Sequence, residues 1–372
     1  MAPGVYVHVP FCTVRCDYCD FATWTDRAHL VQTYVDACVV DVRRRVTTGE
    51  LSAAAGSVFF GGGTPSLLLP AQLASILGEI PLDRDAEVTV ECNPDSVDDA
   101  KLDGYAAGGV NRLSFGVQSM RPHVLQALGR THDPDNVARA VAAARRCGFR
   151  RLNLDLIYGT PGESLDDWRA TLDDALALGP DHVSAYALTV EPGTPLGRLV
   201  AAGSRPAPDD DDQADKYTVA DEVLERSGLA WYEISNWARP GQECRHNELY
   251  WHGGEYVGIG CAAHGHTGGR RWWNVRTPER YVALVAAGTS TEAGSEVRDD
   301  GVCAEEDLAL GLRTRAGVEL PEAAQTVASD LVAAGLLERH GGRIVLTRRG
   351  RLLASEVTVR LLGTGVGTAG TR

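Results

Sequence analysis

The sequence predicts an α/β fold built on a run of parallel strands, followed by a smaller α+β region. Three observations carry that expectation. Short segments rich in β-branched and aromatic residues alternate with helix-like stretches six times between Val5 and Thr189. The chemically unusual residues fall at the ends of those short segments. Beyond Thr194 the rhythm stops, and a Pro-, Gly- and Asp-rich stretch gives way to one rich in Trp, Tyr, His and Gly.

Strands are expected over 5–9, 57–60, 87–91, 112–117, 151–157 and 183–189, with helices over 29–47, 70–80, 100–107, 135–147 and 165–177. Asp135-Asn136, and Ser164 ahead of Asp166-Asp167, are plausible helix caps. Six β-α units in succession imply parallel strands joined by right-handed crossovers, and therefore an α/β sheet or a barrel. Cys12–Cys19 follow the first strand and Gly61-Gly62-Gly63-Thr64-Pro65 the second. Glu91 ends the third, Gln118 follows the fourth, Asp155 lies late in the fifth and Tyr186 lies in the sixth. All sit at carboxyl ends of strands, the face on which barrel enzymes assemble their sites.

The acidic run Asp209–Asp212 reads as a solvated loop leading into a helix over 213–227. Residues 231–274 read as irregular structure with short strands. Helices over 304–314 and 321–334, a turn at Gly335, a hairpin over 336–339 and 343–347 around Gly341-Gly342 and a helix over 349–360 suggest a winged-helix-like module. The expected divisions are 1–230, 231–300, 301–363 and a disordered tail over 364–372.

The chain has 372 residues and a formal net charge of −14, from 36 Lys plus Arg against 50 Asp plus Glu. That balance argues against nucleic acid or a membrane surface as a non-specific partner, and no basic recognition helix marks the winged module for DNA. Nine scattered cysteines do not resemble a secreted disulfide framework. With no signal peptide and no long apolar segment, a reducing cytoplasm is the expected location.

Three of those cysteines, Cys12, Cys16 and Cys19, stand as C-x3-C-x2-C in VYVHVPFCTVRCDYCDF. Three thiolates within eight residues can meet on one inorganic site, yet they are one ligand short of a structural zinc or an ordinary electron-transfer cluster. Three cysteines on a cubane leave one iron open to a substrate or cofactor. The alternatives are a zinc site completed by a distant His or Cys, or three unrelated thiols.

With GGGTP following this run, the chain resembles the radical S-adenosylmethionine enzymes. Over its length it is similar to the oxygen-independent coproporphyrinogen III oxidase family, in its haem-chaperone branch. The matching stretches are YVHVPFC-x3-C-x2-CDF, FFGGGTPS, ECNPD, NRLSFGVQS, LNLDLIYGTPGE, ALTVEPGTP, HNELYW, GIGCAAHG and ALGLRTRAGV. The resemblance implies a partial (β/α)6 TIM-like barrel of the radical SAM type. It also implies a [4Fe–4S] cluster on Cys12, Cys16 and Cys19, with S-adenosylmethionine chelating the open iron. Tyr6, Gly62, Gly63, Thr64, Glu91, Gln118, Arg130 and Asp155 line up with family positions that contact S-adenosylmethionine, and Tyr18 is placed to stack on its adenine. Gly61–Gly63 would let the backbone approach the methionine moiety, and Arg130 would offer a planar fork to its carboxylate.

The resemblance also implies haem as cargo. His246, in CRHNELYWH, is its expected axial ligand, with Cys244, His252 and His264 as weaker candidates. Cys38, Cys92, Cys147, Cys261 and Cys303 are expected to be structural. Haem would pass to an acceptor protein, with a transient membrane-protein partner among those considered. The catalytic oxidases of the family carry a fourth cysteine where this chain has Phe21, and an extension ahead of the first strand. That departure favours the haem-binding branch over radical-based coproporphyrinogen decarboxylation, and no residue is assigned a catalytic role.

Overall fold

Alternation of buried valines with cavity-facing polar residues sets up the first strand: Val5, Val7 and Val9 of β1 (Gly4–Val9) are at most 1% exposed. The computed structural model describes residues 1–130 and 133–364, so the expected tail lies outside the described residues from 365 onward. Helix α1 (Val31–Thr48) leads to β2 (Ala55–Gly62), α2 (Pro70–Leu77) to β3 (Leu82–Cys92), and α3 (Asp99–Ala107) to β4 (Arg112–Gln118). Next come α4 (Pro122–Ala127), α5 (Pro134–Arg146), β5 (Arg151–Tyr158), α6 (Leu165–Ala177), β6 (His182–Ala187) and α7 (Pro195–Ala201). Every neighbouring pair from β1 to β6 is parallel. Side-chain caps start these helices, at Ser164 as expected but at Asp133 where Asp135-Asn136 was expected. Asp98 accepts from the Lys101 N–H, Asp133 from that of Asp135, and Ser164 from that of Asp167, which reciprocates.

Two features differ from the sequence expectation. The aspartate run is not a loop. Asp209 caps α8 (Asp210–Arg226), and the next three aspartates form its first turn, where the helix dipole favours negative charge. Asp212 also binds Lys216 one turn on, at 2.6 Å.

The aromatic stretch after it is mostly ordered strand and helix. It forms β7 (Ala230–Glu233), β8 (Asn236–Ala238), α9 (Arg245–Trp251), β9 (Tyr256–Ile259), β10 (His264–Thr267), β11 (Arg270–Asn274), α10 (Pro278–Ala286) and β12 (Glu292–Val297). Among the described residues these strands join the first six in a single sheet of order β12-β11-β10-β9-β1-β2-β3-β4-β5-β6-β8-β7. β9 pairs parallel to β1, and β8 antiparallel to β6. The sheet is therefore open and mixed, not a closed barrel, because β1 and β6 each take a later strand as partner rather than one another.

The carboxyl-terminal module has its own core. It runs through α11 (Asp300–Leu312), β13 (Val318–Glu319), α12 (Gln325–Ala333), β14 (Leu337–His340), β15 (Arg343–Leu346), α13 (Arg348–Leu352) and α14 (Ala354–Leu362). The strands make a three-stranded sheet of order β13-β15-β14, packed with Leu308, Leu312, Leu331, Ile344 and Leu361. Two helices and a wing thus form as expected, with β13 as an added edge.

The module is fastened to the main sheet by buried charge. Asp221 of α8 is fully buried and accepts hydrogen bonds from Arg351 at 2.7 and 2.8 Å and from the Trp237 indole at 2.9 Å, and it also pairs with Arg348. Burial alone would raise the Asp221 carboxyl, but the Arg351 guanidinium outweighs it and holds the group below the ordinary carboxylate range. Asp221→Ala leaves Arg351 buried without its partner. We expect it to destabilise the protein by about 3–5 kcal/mol, read as a lower urea midpoint. An unchanged midpoint would show that apolar contacts alone hold the module in place.

Candidate functional site

The cysteine loop leaves β1 at Pro10 and closes on itself. Phe11 bridges Trp24, the Cys12 N–H bonds to the Trp24 carbonyl at 3.0 Å, and the Trp24 N–H bonds to the Pro10 carbonyl at 2.8 Å. Its far side is tied down where the Asp17 N–H reaches the Leu128 carbonyl and the Leu196 N–H reaches the Asp17 carbonyl.

The glycine-rich end of β2 lies directly against this loop. Gly63 donates its N–H to the Val9 carbonyl and Thr64 to the Phe11 carbonyl, both at 2.8 Å. A Cβ on Gly63 would stand 2.6 Å from the Phe11 oxygen and 3.0 Å from the Cys12 sulfur, so no other residue fits without a shift. Gly62, at φ +111°, is confined in the same way by the His8 ring.

The three thiols line one cavity of about 460 Å³, together with Tyr18, Gly62, Gly63, Thr64, Glu91, Gln118, Arg130 and Asp155. Four of these come from the ends of β2, β3, β4 and β5, so the parallel register gathers residues far apart in sequence. The Thr64 hydroxyl lies 3.7 Å from the Cys12 sulfur, and Arg130 donates to the Cys16 sulfur at 3.3 Å and to the Gly116 carbonyl at 2.8 Å. Burial pushes the Cys12 and Cys19 thiols up, so an incoming cation must displace their protons to bind thiolate.

Among the described residues no three His, Cys, Asp or Glu side chains are grouped to hold a single metal ion. The cysteines border a cavity instead of closing on a point.

The carboxylates set the polarity of the floor. Glu91 lies deep in the protein while keeping part of its side chain open to the cavity. Its carboxyl is raised to about 8, first by burial and then by Asp155, against the opposing Gly62 N–H at 3.1 Å. Near neutral pH it is therefore mostly protonated and can donate as well as accept. Asp155 is raised by burial too, but accepts from Ser114 at 2.7 Å and Asn153 at 2.8 Å.

Gln118 is held at φ +59°, beside a bulge in the β4–β5 register, a backbone conformation that costs about 1–3 kcal/mol. Its side-chain oxygen is buried and finds no donor among the described residues. Strain and an orphaned acceptor thus coincide on the cavity wall, where a polar ligand would satisfy the oxygen.

Several expected residues fall elsewhere. Tyr6 lines an adjoining cavity of about 370 Å³, and its hydroxyl bonds to the His8 Nδ1 at 3.1 Å; it is not gathered with the cysteines. His246 is 1% exposed and borders neither cavity. Its Nδ1 meets the Ser57 hydroxyl at 2.9 Å and its Nε2 the Tyr250 hydroxyl at 2.8 Å, while burial drops its pKa to about 3. As folded, both of its ring nitrogens are hydrogen-bonded to hydroxyls. Cys244 is fully buried and borders neither cavity, its thiol 3.5 Å from Glu87 and pushed up to about 12 by burial. His252 is exposed and bonded to the Glu248 carbonyl. Cys38, Cys92 and Cys261 are buried as expected, whereas Cys147 and Cys303 are half-exposed.

Tyr186, 42% exposed, and Ser114 line the larger cavity although neither was assigned to the site. The place of Tyr186 at the end of the sixth strand was the available signal. Phe21, 58% exposed, stands on the rim shared by both cavities.

Comparison with known proteins adds the following. The model of the Radical SAM superfamily matches residues 6–175, and that of the HemN C-terminal domain matches residues 303–353. The heme chaperone HemW of Mycobacterium tuberculosis (strain H37Rv) is 46% identical, over 97% of this chain and 95% of that protein. The protein of the same name from Bacillus subtilis (strain 168) is 35% identical, over 97% and 99%. Among solved structures, the coproporphyrinogen III oxidase HemN of Escherichia coli, described as a radical SAM enzyme, superposes with a TM-score of 0.84 at 24% identity, over 97% of this chain and 90% of that one. That superposition establishes a shared fold.

The contact at Gly63 yields a direct test. Gly63→Ala must push the glycine loop off Phe11 and Cys12, at about 1–3 kcal/mol. We expect lower iron retention after reconstitution and a lower melting temperature. Iron content and melting temperature equal to those of the parent would mean that the loop has slack and that its fit to Cys12 is not needed.

Proposed function

The chain belongs to the radical SAM superfamily and, within it, to the heme chaperone HemW family, and from that premise we propose that it is a haem chaperone. In this reading it carries a [4Fe–4S] cluster with bound S-adenosylmethionine and hands haem to an acceptor protein. The observation that carries the cluster half is the convergence of Cys12, Cys16 and Cys19 on one cavity with Gly63, Gln118 and Arg130. The haem half rests on the relatives' name and on an aromatic-lined cavity next to the first.

The residues fit those groups by their own chemistry. Cys12, Cys16 and Cys19 would each hold one iron and leave a fourth for the cofactor. The Gly62–Thr64 backbone lets the methionine end approach closely, and the Gln118 oxygen supplies an unsatisfied acceptor. Protonated Glu91 adds a hydrogen-bond donor without adding charge. Arg130, spanning the Cys16 sulfur and the Gly116 carbonyl, orients the cysteine loop and brings positive charge beside a thiolate. Tyr18 and Tyr186 furnish flat walls for a purine. When bound, a cluster carrying S-adenosylmethionine supplies one-electron chemistry at this cavity.

Among the described residues no helix is long and apolar enough to cross a membrane, and all nine cysteines are unpaired. A reducing cytoplasm is the proposed setting. Phe21, where the oxidases have a fourth cysteine, argues against coproporphyrinogen decarboxylation.

Changing Cys12, Cys16 or Cys19 singly to Ala should abolish stable cluster assembly, since the other cysteine of the lining, Cys92, is buried on β3 with its thiol donating to the Val90 carbonyl at 3.6 Å. Iron and sulfide analysis decides this, and a full cubane in any one variant defeats the ligand assignment. Phe21→Cys alters only the rim. It should leave iron content unchanged and produce no protoporphyrinogen from coproporphyrinogen III; product formation would move the chain to the oxidase branch.

A further inference from the structure

Haem makes three demands on a carrier: flat apolar walls, a nitrogen for the iron and a cation for its propionates. The smaller cavity meets all three. Tyr6, Tyr250 and Tyr256 wall it, Phe21 stands on its rim, and His264 and Arg276 complete its lining. Topology places the last two at the cysteine-bearing edge. β9 runs parallel to β1, so the turn after it brings His264 to the same edge as Cys12–Cys19. β11 runs antiparallel to β10, so Arg276, just past its end, returns there.

The choice of imidazole follows from hydrogen-bond accounting. His8 in this cavity uses both nitrogens, on the Tyr6 hydroxyl at 3.1 Å and the Ala22 carbonyl at 2.9 Å. His246 behind the wall uses both as well, and stacks on Phe59 with ring centres 5.4 Å apart. His264 is exposed. Its ring lies beside that of Trp273, ring centres 6.0 Å apart, and among the described residues neither of its nitrogens has a hydrogen-bond partner. Arg276 is likewise exposed, with no ion pair among the described residues.

This inference rests on the haem-chaperone reading and deepens it. We propose that the smaller cavity is the haem site, with His264 as axial ligand to the iron and Arg276 facing a propionate carboxylate. His246 is then a positioning residue that holds Tyr250 in the wall. A cavity of about 370 Å³ encloses part of a porphyrin and leaves one edge outside, which suits a carrier that must release its cargo. Glu91, shared with the larger cavity and raised to about 8, adds little repulsion toward the propionates.

The test titrates ferric haem into the full chain reconstituted with its cluster, following the Soret band and the melting temperature. We expect His264→Ala to shift the Soret band and weaken binding about tenfold or more. His264→Met should bind with a Soret position of its own, because a thioether replaces the imidazole. Arg276→Ala should weaken binding about two- to fivefold with the spectrum unchanged. His246→Ala should lower the melting temperature and keep the parent Soret position. Parent spectrum and affinity in both His264 variants would overturn the assignment, as would a His246→Ala protein of unchanged melting temperature that loses the parent spectrum. If the parent chain takes up no haem, the chaperone reading falls and this site falls with it. If the parent binds and the His264 variants match it, only the site assignment falls.

Discussion

The absence of a side chain at Gly63 is the constraint on which the site depends. It lets the end of β2 dock onto the loop that follows β1 through two backbone hydrogen bonds, from Gly63 to Val9 and from Thr64 to Phe11. The Cys12 sulfur is left within reach of the Thr64 hydroxyl. A loop of three cysteines has little secondary structure of its own, so its shape must come from what it touches. Here it touches backbone, and backbone positions are fixed by the parallel ladder from β1 to β6. A shift anywhere in that ladder would move the thiols relative to Glu91, Gln118 and Asp155.

The cavity floor has features that a protein selected for stability alone would lack. Gln118 sits in the left-handed region with a buried oxygen that finds no donor, and two carboxyls share a desolvated space. Each feature costs free energy in the empty protein. The surrounding apolar layer, which includes Val88, Val90, Leu113, Phe115, Leu152 and Leu154 at no more than 2% exposure, over-determines the strand ends and tolerates that cost. Local rules of sequence preference fail at Gln118, where the strained backbone and the unpartnered oxygen meet on the cavity wall.

Much of this was legible in the sequence. Spacing gave the cysteine triplet, strand periodicity gave the six parallel strands, and their carboxyl ends gave the place of the cavity residues. What stayed hidden depended on partners distant in sequence. HGHT and RRWWN carry no clean alternation, and they become strands because β9 and the edge of the sheet recruit them. The bond from His246 Nδ1 to Ser57, 189 residues earlier, has no signal in the sequence beside Tyr250 and Trp251. The backbone angle of Gln118 has no signature in its residue type. Asp209–Asp212 were ambiguous between loop and helix start, because the same charge pattern suits both.

The two cavities are not independent. Asp20, Phe21, Gly62 and Glu91 line both, so the thin wall between them is made of groups that feel whatever either cavity holds. Glu91 is the most responsive of these. Its carboxyl titrates within about a unit of neutrality, so a cation or a hydrogen-bond acceptor placed on one side changes its protonation and the polarity seen from the other. Linkage makes that influence reciprocal: if occupancy of the larger cavity changes affinity in the smaller, the converse holds by the same factor. The packing around β3 fixes that acid in the wall the two cavities share.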